Sequence, residues 1–123
     1  MSVFRKREVG PVGERLAARF LKKLGYKVLR RNCGSSLGEI DLIMRDGDTV
    51  VFVEVKTRSS TTTGDPESAV TRDKQRKIGR QAALFANRHN LLERPLRFDV
   101  VTIVLDDPKT PTVKHFKDAF TLQ

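Results

Sequence analysis

A chain of 123 residues, 38% hydrophobic and 32% charged, carries apolar material for one core under a heavily charged surface. That excludes a disordered chain and two full domains, leaving a single domain over 1–123 with 1–9 as a basic arm. Lys and Arg number 24 against 15 Asp and Glu, a net charge of +9 that favours a polyanionic partner through phosphate contacts and counterion release.

The first element in chain order is a helix over Pro11 to Leu24. Leu16, Ala17, Phe20, Leu21 and Leu24 share one arc and Arg15, Arg19, Lys22 and Lys23 the other, with Gly25 after the cap. Tyr26 to Arg31 reads as a short strand with Tyr26 and Val28 inward. Glu39 to Arg45 and Thr49 to Lys56 are strands of β-branched and aliphatic residues, joined through Asp46-Gly47-Asp48 as a hairpin. The polar run from Ser59 to Pro66 reads as a loop. Thr71 to about Asn90 follows as a helix with Ile78, Ala82 and Phe85 on its apolar face. Leu96 to Leu105 is a long strand, and Thr112 to His115 a short final one. The order implies an α/β fold: a mixed sheet flanked by helices, with the strand after the second helix parallel to the hairpin.

Cys33 is the one cysteine, which excludes an internal disulfide and a cysteine zinc cluster. His89 and His115 are too few and too scattered for a histidine metal site. No stretch approaches the roughly 18 apolar residues of a membrane span, and no apolar run follows Arg5-Lys6-Arg7 as it would in a signal peptide. A cytoplasmic protein is expected. An anionic membrane is the rival to nucleic acid, with no basic amphipathic helix bearing a Trp or Phe belt to support it.

The chemistry sits on the hairpin. Side chains alternate along a strand, so Glu39, Asp41 and Ile43 share one face and Ile40, Leu42 and Met44 the other. On the next strand Val50, Phe52, Glu54 and Lys56 share a face. A two-residue turn at Asp46-Gly47 sets Asp41 opposite Phe52, and one at Gly47-Asp48 sets it opposite Glu54. Either brings Asp41, Glu54 and Lys56 to one face, whereas a three-residue turn separates them. Charges on such an apolar surface carry a desolvation cost, which a bound Mg²⁺ or Mn²⁺ would offset. Against this stands an ordinary ion pair at a sheet surface, to which a lone Glu-x-Lys usually belongs.

Glu14, in the first turn of the first helix, lies at the edge of the apolar arc and is a further candidate acid, or an ordinary helix-start carboxylate. Lys74 lies on the apolar side of the second helix, where it reaches a phosphate or snorkels to water. With Arg58, Arg72, Lys77 and Arg80 it forms a candidate phosphate-tracking surface, the alternative being a solvated helix face.

Gly38-Glu39-Ile40-Asp41-Leu42-Ile43, followed by Val51-Phe52-Val53-Glu54-Val55-Lys56-Thr57-Arg58, resembles the YraN-type family of uncharacterised bacterial proteins. Gly13-Glu14, Gly25-Tyr26, Arg31-Asn32, Lys74 and Arg97-Phe98-Asp99-Val100-Val101 fit the same pattern, from about Val9 to Leu105. That family is placed in the restriction-endonuclease-like PD-(D/E)xK superfamily, near archaeal Holliday junction resolvases. The resemblance implies an αβββαβ core, with Asp41 as the metal-binding acid, Glu54 and Lys56 as the (D/E)xK pair and Glu14 as the helix-borne acid. Ile40 stands where the superfamily signature has proline.

The expectation is a Mg²⁺- or Mn²⁺-dependent DNA endonuclease acting on branched or junction DNA. Asp41, Glu54 and the Val55 carbonyl would hold the cation, Lys56 would position the water, and Glu14 would support either. Junction cleavage implies a homodimer. The alternatives are a DNA- or RNA-binding module without turnover, and an accessory protein that docks another protein.

Overall fold

A computed structural model of the chain describes residues 6–35, 38–58, 70–107 and 109–121. The elements in order are α1 (Lys6–Lys23), β1 (Lys27–Ser35), β2 (Gly38–Asp46), β3 (Thr49–Arg58), α2 (Arg72–Arg88), β4 (Leu96–Val104) and β5 (Thr112–Phe120). The strands form one sheet in the order β1-β2-β3-β4-β5. β1, β2 and β3 run antiparallel in succession, β4 lies parallel to β3 after α2, and β5 returns antiparallel. This is the αβββαβ order with a fifth strand at one edge.

Alternation along the strands builds two cores. One face carries Leu42, Met44, Val51, Val53, Val101 and Ile103 under Ala17, Ala18 and Leu21 of α1. The other carries Ile43, Val50, Phe52, Phe98 and Val100 under Ile78, Ala82 and Phe85 of α2. β3 is covered on both sides, which is why Val50, Val51, Phe52 and Val53 are all buried and read as a continuous apolar run.

Local signals set the helix ends. Gly25, at φ 97, terminates α1, with its N–H on the Lys22 carbonyl at 2.9 Å and that of Tyr26 on the Leu21 carbonyl at 3.0 Å. The Thr71 hydroxyl oxygen caps α2 by accepting from the Lys74 N–H at 3.2 Å.

Several boundaries differ from the sequence reading. α1 begins at Lys6, upstream of Pro11. Proline removes one N–H and disfavours helix in the residue before it; as the sixth residue of α1, Pro11 costs the helix one intrahelical bond in its second turn. β1 runs on to Ser35 and β5 to Phe120, because pairing to a neighbouring strand supplies order that their polar sequences do not advertise. Leu24 and Leu29 are exposed, at 55% and 41%. Ile40 packs with Ile43 rather than with Leu42 and Met44, so strict alternation fails at the start of β2. The polar run 59–66 and residues 1–5 of the basic arm lie outside the described residues.

Gly13 fixes how closely α1 approaches β3. A Cβ there would lie 1.8 Å from Thr57 Oγ1 and 2.7 Å from Thr57 Cβ. Alanine is the better helix former by about 1 kcal/mol, yet Gly13→Ala is expected to destabilise by about 1–3 kcal/mol through overpacking. Thermal unfolding checks this: the melting temperature falls by several degrees, and an unchanged or raised value refutes the close contact.

Candidate functional site

The site forms where β2 and β3 part. Their ladder runs from Asp46↔Thr49 to Leu42↔Val53. Gly47 and Asp48 therefore make the turn, with Gly47 at φ 59 as a primed hairpin turn requires. Of the two two-residue turns open to the sequence, this is the one that sets Asp41 level with Glu54. Beyond Leu42, β2 keeps its pairing with β1 as far as Gly38, and β3 keeps its pairing with β4 as far as Arg58. Asp41 stands in the break between them, and its Oδ2 accepts the Val55 N–H at 2.8 Å.

Other elements complete the cluster. Glu14 arrives from α1, and carboxylate oxygens of Glu14, Glu39 and Asp41 lie within 4.8 Å of one another. Asn32 enters from β1 at φ 51, a backbone region asparagine tolerates better than most residues. With its NH₂ turned to the acids, it donates to Glu14 Oε2 and to Glu39 Oε1, each at 3.1 Å. Glu54 is 5% exposed. Its Oε1 is paired with Lys74 Nζ from α2 and stands 3.8 Å from Lys56 Nζ. Beside these groups a cavity of about 260 Å³ is lined by Gly38, Glu39, Asp73, Lys74, Lys77 and Ile78.

The electrostatics follow from like charges gathered under partial burial. Burial first, and then the Glu54 charge, push the Asp41 carboxyl up to about 7, against the pull of the Val55 N–H. Glu14 is raised by burial and by Glu39, with the Asn32 amide opposing. Lys56 is pushed down by burial and by the neighbouring Lys74. Burial works against the Lys74 ammonium, but Glu54 and Lys56 hold its proton more firmly than usual. The result is a set of half-buried acids beside two amines, one held more firmly in its charged form and the other pushed away from it.

The structure thus gathers Glu14, Asp41, Glu54, Lys56 and Lys74 from four elements. Val55 contributes its N–H to Asp41. Lys77 lines the adjoining cavity and is paired with Asp73 at 3.4 Å. Arg72 and Arg80 are exposed on α2, and Arg58 ends β3. Glu39 and Asn32 were missed as members of the cluster. The signal for Glu39 was present, two residues before Asp41 on one strand face. For Asn32 it was absent, since a left-handed backbone is invisible in the sequence.

A second polar network lies under α1, along β4 and β5. Asp99, fully buried, accepts from Arg97 Nε at 2.9 Å, from Arg97 Nη2 at 3.1 Å and from the Asp118 N–H at 2.9 Å, and is bonded to His115 Nε2 at 2.7 Å. Arg97 also donates to Asp46 Oδ2 at 3.0 Å and to the Tyr26 hydroxyl at 2.7 Å. The network ties β4 to the hairpin, to β5 and to the end of α1.

Among the described residues no helix is long and apolar enough to cross a membrane. Residues 13–103 match the model of the uncharacterised protein family UPF0102. The span runs from the close-packed Gly13 through the acid cluster to the end of β4. Similar chains include the UPF0102 protein of Geotalea daltonii, 46% identical over 93% of this chain and 90% of that one. That of Caldicellulosiruptor saccharolyticus is 48% identical over 82% of this chain and 86% of its own. That of Geobacter metallireducens is 43% identical over 99% of this chain and 98% of its own. With the match covering most of the fold and every residue of the cluster, the chain belongs to the uncharacterised protein family UPF0102.

Proposed function

We propose that this protein is a divalent-cation-dependent nuclease that hydrolyses phosphodiester bonds of DNA, with branched or junction DNA as its substrate. The observation that carries the reading is the convergence of Glu14, Asp41, Glu54, Lys56 and Lys74 at the break between β2 and β3. The donors suit a hard cation: carboxylate oxygens of Glu14, Glu39 and Asp41 lie within 4.8 Å of one another, and burial, then the nearby Glu54 charge, hold the Asp41 carboxyl up at about 7.

Asp41 and Glu54, with the Val55 carbonyl, would hold Mg²⁺ or Mn²⁺, and Glu14 would support it. Such an ion neutralises phosphate charge and lowers the pKa of a bound water. Lys56 would position the attacking water at Nζ, and the proton of that water passes to solvent. The water oxygen bonds to phosphorus as the opposite P–O bond breaks. The Lys74 ammonium, which stays charged, faces the negative charge that builds on the phosphate. Arg58, Arg72, Lys77 and Arg80 line up the strand through its phosphates. Cleavage of both arms of a junction requires two such sites, and hence a homodimer.

The test is incubation with linear duplex, single-stranded and four-way-junction DNA, in Mg²⁺ or Mn²⁺ and in chelator. Metal-dependent cuts that are strongest on the junction support the reading. Tight binding without cuts would replace it by a binding module on the same fold. No affinity at low salt would leave an accessory protein.

Asp41 supplies a test independent of activity. Its folded pKa of about 7 exceeds the unfolded value near 4, so folding takes up a proton between them. Stability from this group therefore falls as pH rises from about 4 to about 7. A cation that replaces the proton removes that penalty, and competes with less proton binding at higher pH. Mn²⁺ is expected to raise the melting temperature more at about pH 8 than at about pH 6. An equal rise at both pH values would contradict a cation held by Asp41.

A further inference from the structure

At the far end of α2 lies a second cavity of about 380 Å³, whose walls include Arg30, Arg45, Phe85, His89, Leu91 and Arg94. We propose that this pocket anchors the nucleic acid strand away from the cut, its guanidinium groups on a phosphate and the exposed His89 ring against the attached sugar. The inference rests on the nuclease reading for the identity of the strand, and extends it to residues outside the acid cluster.

Charge comes first. Arg45 is half-buried, yet among the described residues neither its side chain nor that of Arg30 makes an ion pair or hydrogen bond. Arg94 has only a 3.9 Å contact with Asp48, which is 96% exposed. A guanidinium fork drawn partly out of water without a carboxylate is suited to an incoming oxyanion, and it matches phosphate in two-point geometry. The end of α2 adds partial negative charge here. Its last carbonyls are already occupied, however: the N–H groups of His89, Asn90 and Leu91 take those of Phe85, Asn87 and Ala86.

The floor is the second feature. The His89 and Phe85 rings lie 4.4 Å apart and tilted by 39°, and His89 is exposed. Phe85, 7% exposed, backs that ring from below, and an exposed ring beside guanidinium groups suits a nucleotide better than an acidic peptide, because the ring packs on the sugar while the forks take the phosphate.

The third feature is continuity. From Lys74 to His89, α2 advances about 22 Å at 1.5 Å per residue, with Arg76, Lys77, Arg80 and Arg88 exposed between them. At about 3.4 Å per nucleotide, a duplex strand spans that distance in about six to seven nucleotides. A strand seated at Glu54 thus reaches the pocket about half a turn of duplex away.

The experiment measures fluorescence anisotropy of labelled duplexes in chelator, at about 50 and 200 mM salt. The proteins are wild type, the Arg45→Gln/Arg94→Gln double variant and His89→Ala. On a duplex of about 16 base pairs the double variant is expected to bind roughly tenfold or more weakly, with a log–log salt slope shallower by roughly 1–2. On a hairpin stem of about 5 base pairs, too short to reach both sites, variant and wild type bind alike. Mn²⁺ affinity by calorimetry is unchanged, since the acid cluster is intact. Arg94→Gln alone, at an exposed position, serves if Arg45→Gln perturbs folding. Equal affinities and slopes on the long duplex, with wild type binding both DNA and Mn²⁺, overturn the pocket and leave the nuclease reading standing. A wild type that binds no DNA at low salt overturns both. Polyglutamate that binds wild type as tightly as duplex of equal charge, and loses affinity in the double variant, reassigns the pocket to an acidic protein partner and overturns the proposal.

Discussion

Glu54→Ala is expected to abolish metal-dependent cleavage, with a loss on the order of a thousandfold or more, since charge stabilisation by a positioned cation amounts to several kcal/mol. The variant removes the carboxylate that is 5% exposed between Lys56 and Lys74. Its effect on the rest of the site is also readable. The Glu54 charge helps to hold the Asp41 carboxyl up at about 7, so Asp41 should titrate lower in Glu54→Ala, which NMR of the carboxyl carbon would follow. Calorimetry with Mn²⁺ should show weakened binding. Cleavage at the wild-type rate, or Mn²⁺ affinity equal to wild type, would remove Glu54 from the metal centre. Unchanged DNA binding in chelator separates a lost reaction from a lost fold.

Asp99→Ala is expected to produce the largest loss of stability, about 3–5 kcal/mol, because it takes from the partly buried Arg97 one of its two carboxylates and leaves the His115 ring and the Asp118 N–H without their buried partner. Asp99 is fully buried and accepts from Arg97, His115 and the Asp118 N–H. For a domain of this size the melting temperature should drop by on the order of 10 °C or more. A drop of only a degree or two would show that the network is not holding β4, β5 and the hairpin together. The pH dependence has the opposite sign to that of Asp41. Burial works against ionisation of Asp99, but the bonds from His115, Arg97 and Asp118 outweigh it and hold the carboxyl below its usual range. Its contribution is therefore present above the unfolded value near 4 and is lost as pH falls through the folded one. Acid melts of wild type should steepen there, and those of Asp99→Ala should not.

The two acids teach different lessons about function. Both are drawn out of water on strands of the same sheet, yet Asp99 is satisfied by the Arg97 guanidinium, the His115 ring and the Asp118 N–H. Asp41 accepts one N–H and stands beside Glu14 and Glu39, and burial with the Glu54 charge outweighs the pull of Lys74. A strained titration with unmet charge is the stronger pointer to a ligand, which is why the metal centre is proposed at Asp41 and a purely structural role is assigned to Asp99.

The sequence by itself determined the order of elements, the parallel strand after the second helix and the apolar faces of both helices. These follow from periods of 2 and 3.6 residues and from Gly25, Gly47 and Thr71 at the breaks, all of which are local properties. The register of the hairpin, the parting of β2 from β3 and the pairing of Glu54 with Lys74 were decided only by the tertiary structure. So were the entry of Asn32 and Glu39 into the acid cluster, the extension of β5 and the Arg97–Asp99–His115 network. Each of these depends on contacts between residues far apart in the chain, or on a backbone angle such as the left-handed Asn32. Periodicity tells which way a side chain points, but only packing decides which distant group it meets.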